Sequence, residues 1–210
     1  MLTEAASLDR RVHDALREFA LEQPGLAIDY LDAANAAQFA GFLQELFVNN
    51  PALTRFNSAQ KRRLFALWSK QEALDGLLQA VEAHPEWLEF AWPGVARHHA
   101  AGGEFAAAWQ LVKHYADPPA LPQSAAGAAI PQREQQLYKN PGDYAAGYAL
   151  YRAQTKAGKT DDALATIRHF TAQPGAPIYF YYLQAEAWAA QENWEHAWQS
   201  WQEYEQRSNE

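Results

Sequence analysis

Few side chains in this sequence are typed and spaced for chemistry. His98-His99 with Glu104 is the nearest approach to a metal-ligand set. Neighbouring residues of a helix face different sides, so the two imidazoles would not share one ion, and no third ligand is spaced to join them. Packed or solvated helix positions account for this pair. His13, His84, His114, His169 and His196 lack ligand spacing of the H-E-x-x-H kind. The acidic residues are scattered over helix surfaces, with no pair set as acid and base. Gly102-Gly103 is a turn and not a phosphate loop, because no strand precedes it and no Lys-Ser/Thr follows. No nucleophile elbow is present. The absence of cysteine removes disulfides, thiolate metal sites and a Cys nucleophile. The sequence therefore predicts no catalytic residue, no metal and no cofactor.

The one dense charge cluster is Lys61-Arg62-Arg63, a basic patch on a chain of net charge −8 and pI near 5.4. A solvated helix face is the simpler account, and docking of an acidic partner is the functional one. The last 35 residues carry six Glu and one Arg, so opposite signs at the two ends would allow head-to-tail association of copies. The acidic balance argues against nucleic acid, which needs clustered Lys and Arg. No run of about 18 uncharged apolar residues exists, so no membrane insertion by this segment is expected. The opening Met1-Leu2-Thr3-Glu4-Ala5 lacks the basic flank and apolar core of a signal peptide. The cytoplasm, or a soluble domain of an envelope membrane protein, fits these features.

Positioning elements follow from periodicity. Apolar residues make up 49% of the chain and charged ones 20%, which suits a globular protein. Leu8, Val12, Ala15, Leu16 and Phe19 recur at spacings of three and four and predict a helix over about 3–21 with one buried face. Phe39, Phe42, Leu43, Leu46 and Phe47 predict a second. Ser58 is the expected N-cap of a helix carrying Leu64, Phe65, Leu67 and Trp68. Another helix carries Leu74, Leu77, Leu78 and Val81. A two-helix unit spans 87–115, and an extended connector with Pro118, Pro119, Pro122 and Pro131 follows. A short helix at about 132–139 precedes two helix pairs, 144–157 with 161–172 and 177–190 with 194–206. No alternating strand pattern appears, so the fold class is all-α.

The pairs repeat. Gly158-Lys159-Thr160-Asp161-Asp162-Ala163 and Glu192-Asn193-Trp194-Glu195-His196-Ala197 place their alanines 34 residues apart, a spacing that signals a helical-repeat solenoid. In the last unit Ala187-Trp188, Glu192, Trp194, Ala197 and Trp201 fill small, turn and aromatic slots. Leu150, Ala153, Gly158, Ala163 and Phe170 do so in the unit before, and Gly103, Phe105, Ala108 and Tyr115 in the unit ahead of the connector. These units resemble the tetratricopeptide repeat over roughly 87–206, and loosely before that.

The resemblance implies an α-α superhelix, a right-handed solenoid of antiparallel helix pairs. Its parts would be degenerate repeats over 1–116, an insert at 117–131 and repeats over 132–210. It also implies a non-catalytic scaffold whose first helices line a concave face that holds a peptide or partner protein. Outward positions on those helices are Tyr148, Arg152, Thr155, Lys156, Tyr179, Tyr182 and Glu186, of which Tyr and Arg are types enriched at interface hot spots. The chain also resembles repeat segments of bacterial envelope proteins that assemble polysaccharide. As such a segment it would position or assemble a larger complex.

Overall fold

A computed structural model describes residues 53, 54, 56–69, 74–123 and 129–209, with isolated positions at 14, 15, 18, 22, 23, 25 and 28. All regular structure among the described residues is helical, and no strand occurs there. The predicted helices at 3–21 and 39–47 fall largely outside the described residues. Ala15, expected on a buried face, is helical but exposed. Contacts divide the chain into two compact units, 1–98 and 99–210.

The described part of the first unit holds α1 (Ser58–Trp68), α2 (Leu74–Ala83), a 3-10 turn (Pro85–Trp87) and most of α3 (Leu88–Ala101). α1 starts one residue earlier than Ser58 capping would require. The Asn57 side chain accepts from the Gln60 N–H at 2.9 Å, and the Asn57 N–H donates to Gln60 Oε1 at 3.1 Å, closing a capping box. Asn does at this site what the sequence reading assigned to Ser58. Phe65 lies 6.1 Å from Trp87 and 6.5 Å from Phe90, ring centre to ring centre. Gly94 lets α3 approach closely, since a Cβ there would meet Ser69 Cβ at 2.6 Å and Leu77 Cδ2 at 2.8 Å.

The second unit holds α4 (Phe105–Tyr115), α5 (Ile130–Lys139), α6 (Tyr144–Lys156), α7 (Thr160–Thr171), α8 (Tyr179–Ala189) and α9 (Trp194–Ser208). The side chains of Asp143 and Asn193 cap α6 and α9, accepting from the N–H groups of Ala146 and His196. Three hairpin turns share one backbone pattern. The N–H groups of Gly103, Gly158 and Glu192 donate to the carbonyls of Ala100, Thr155 and Ala189. The next residues, Glu104, Lys159 and Asn193, donate to His99, Gln154 and Trp188. This closure needs a left-handed residue, with φ of +80° at Gly103, +72° at Gly158 and +57° at Glu192. Five residues past each turn residue stands a buried alanine, Ala108, Ala163 or Ala197.

Consecutive helices from α5 to α9 pack on one another, each against the next. Where α6 crosses α7, Gly147 admits the fully buried Phe170 ring, which would lie 2.0 Å from an added Cβ. Phe170 stacks on Phe180 of α8 at 5.1 Å, and Tyr144 touches both rings. Between α6 and α7 the buried Thr166 hydroxyl donates to Gln154 Oε1 at 2.8 Å, satisfying both side chains. α4 departs from chain order. A stack in sequence order would seat it beside α5, but it packs on α9. In space the order is α5, α6, α7, α8, α9, α4, and the proline-rich connector joins helices from opposite ends of this series.

Candidate interaction face

The helices α6 and α8 run the same way, with α7 returning between them. Tyr148 near the start of α6 meets Tyr179 at the start of α8 edge-on, 5.9 Å between ring centres. Farther along, the Arg152 guanidinium lies 6.0 Å from the Tyr148 ring centre. One turn apart on α8, Tyr182 donates to Glu186 Oε1 at 3.2 Å, and Lys113 of α4 ion-pairs with the same oxygen. Tyr182 also meets Trp201 and Tyr204 of α9 edge-on.

These contacts join most of the positions read from the sequence. Arg152, Thr155 and Lys156 are exposed, and Tyr179 and Glu186 are half-buried. Tyr148 and Tyr182 differ from the outward placement expected of them, being only 2% and 9% exposed. Two residues that sequence reasoning omitted belong here. Tyr151 sits among Thr155, Glu186, Arg152 and Tyr148, and its three-residue spacing from Tyr148 was the available signal. Lys113 had none, because only the return of α4 onto α9 brings it near Glu186.

The electrostatics follow from burial beside a carboxylate. Burial raises the Tyr151 phenol, the hydrogen bond with Thr155 opposes it and the Glu186 charge adds to the rise, which leaves the group at about 12. Tyr182 is raised by burial first, then by the Glu186 charge and by donating to that carboxylate. Tyr179 is raised by burial and by its neighbours Tyr148 and Tyr144. The phenols are thus held as neutral donors across the physiological range. Of this set, the half-buried Tyr179 offers its ring to apolar groups, with the exposed Arg152 and Lys156 as cations at the edge.

A second concavity of about 550 Å³ opens on the other side of α8, lined by Arg168, Tyr181, Gln184, Trp188, His196 and Ser200 among others. Its aromatic rings are already engaged. Arg168 lies 5.8 Å from the Trp188 ring centre, His196 lies 4.7 Å from it, and Arg207 lies 4.5 Å from that of Tyr181.

His99 Nδ1 bonds Glu104 across the hairpin turn, and no group of three metal-ligating side chains occurs among the described residues. In the basic patch, Lys61 lies over the Phe90 ring at 5.3 Å, while Arg62 and Arg63 are exposed. No helix among the described residues is long and apolar enough to cross a membrane.

No family model matches this chain, and no curated protein or solved structure matches it either.

Proposed function

We propose that the second unit is a non-catalytic interaction module of tetratricopeptide type, a short stack of helix pairs that holds a partner peptide against α6 and α8. The shared turn geometry at Gly103, Gly158 and Glu192, with a buried alanine five residues on, supports a repeated hairpin. The observation that carries the binding role is the grouping of half-buried Tyr179 and Glu186 with exposed Arg152 over the buried Tyr148, Tyr151 and Tyr182, on the two helices that flank α7. Tyrosine supplies broad contact area and a polar tip at little entropic cost. Arg152, Thr155 and Lys156 frame this face as exposed groups whose replacement leaves the core intact.

Selection of peptides from a displayed random library on the intact chain tests the proposal. Selected peptides should bind Arg152→Glu and Tyr179→Ser variants at least about tenfold more weakly, as for hot-spot residues. An Arg62→Glu, Arg63→Glu control should bind as the parent does. Failure to select any peptide, or equal binding by all variants, would remove this role.

A further inference from the structure

The concavity of about 550 Å³ beside α8 gathers groups from three helices. Arg168 comes from α7, Tyr181, Gln184 and Trp188 from α8, and His196 with Ser200 from α9. Its walls are fixed by contacts within the fold. Tyr181 is buried and donates to the Thr171 carbonyl at 3.3 Å, and Ser200 is buried beside it in the lining. The Trp188 indole meets both Arg168 and His196, and the imidazole is held in turn through Nδ1 by Asn193 Oδ1 at 2.8 Å.

One permanent charge in this lining lacks a counterpart. Glu203 accepts from Arg207 Nε at 2.7 Å and pairs with its Nη2 at 2.6 Å, so that carboxylate is compensated. Arg168 is exposed and lies over the indole, and no carboxylate among the described residues pairs with it. A guanidinium set over a ring keeps its N–H groups around its own edge, in a fork that matches a carboxylate. Half-buried Gln184 has no hydrogen-bond partner among the described residues either. An amide donor and acceptor therefore share the concavity with the unmatched cation.

We infer that this concavity is a second binding site, for a small organic acid that carries one carboxylate. The carboxylate pairs with Arg168 beside the Trp188 ring, and a polar group on the acid meets the Gln184 amide. One uncompensated cation suits one negative charge. The Glu203 carboxylate in the lining disfavours a doubly charged phosphate, because like charges brought together cost affinity. The volume is that of a small-molecule site. The site lies across α8 from the tyrosine face and does not depend on peptide binding there.

Titration of the intact chain with acetate, benzoate and hippurate, followed by proton–nitrogen NMR of the Arg168 Nε–H and the Gln184 side-chain amide, tests it. At least one acid should bind saturably and shift both signals. Read at Gln184, that acid should bind an Arg168→Gln variant at least about tenfold more weakly, the loss expected for one charged contact. An Arg62→Gln control should bind as the parent does, and benzamide, the uncharged counterpart of benzoate, should not saturate. No saturable binding by any of the three acids, or equal binding by the Arg168→Gln chain, overturns the inference. Tighter binding of phenyl phosphate than of benzoate would overturn the single-charge assignment. Binding of a glutamate-bearing peptide without binding of the free acids would overturn the small acid as occupant.

Discussion

Gly147 and Glu192 show at single-residue scale how the hairpins are held. A methyl at Gly147 has no room beside Phe170, itself fixed between Tyr144 and Phe180. Gly147→Ala should cost about 1–3 kcal/mol by overpacking, read as a lower urea midpoint, and an unchanged midpoint would contradict the close crossing. Glu192 holds the left-handed conformation that glycine takes in the two other turns. Glu192→Gly should therefore stabilise by about 1 kcal/mol despite the entropy glycine adds to the unfolded chain, measured in the same titration. The buried Gln154–Thr166 bond predicts a non-additive pair. Thr166→Val alone should cost about 1–3 kcal/mol by stranding the Gln154 amide, and adding Gln154→Leu should recover most of it.

Tyr151 sets a pH dependence of known sign. Its phenol ionises near 10.0 when unfolded and near 12 when folded. Between those values the unfolded chain has released a proton that the folded chain keeps, so stability falls as pH rises through this window and is fully present below it. Tyr182 and Tyr179, raised in the same direction, steepen the fall. Tyr151→Phe should lessen the slope of unfolding free energy against pH between about 10 and 12; an unaltered slope would show that this phenol titrates normally.

At the scale of elements, the sequence carried the boundaries of α6 to α9 to within about two residues, because caps and turns are local. Asp143 and Asn193 stand where helices begin, and Gly158 stands where one ends. Buried alanines at 163 and 197 were legible for the same reason. Ala163→Trp or Ala197→Trp should each lower the melting temperature sharply, by overpacking a helix that contacts both neighbours; wild-type melting of either would contradict the register. Periodicity names the buried face of a helix but not the surface it is buried against. The apolar stripe of α4 therefore gave no hint of α9 as its neighbour, and Lys113 could not be assigned to the interaction face. Tyr148 and Tyr182 misled for a related reason, since a position facing away from its own hairpin need not face water.

For the molecule as a whole, the packing of α4 on α9 ties distant stretches of chain together. Cleavage within 117–123 should leave the two fragments co-eluting in size-exclusion chromatography, since the contact between α4 and α9 does not pass through the cut. Separate elution would show that the contact is weaker than the structure implies.

The same contact sets a timetable for synthesis. α4 emerges from the ribosome well before α9, at a rate of about 5–20 residues per second, and its contact with α9 cannot form until that later helix arrives. Acquisition of native structure in the second unit is therefore a late, non-local event, slower than for a row of hairpins that add one after another.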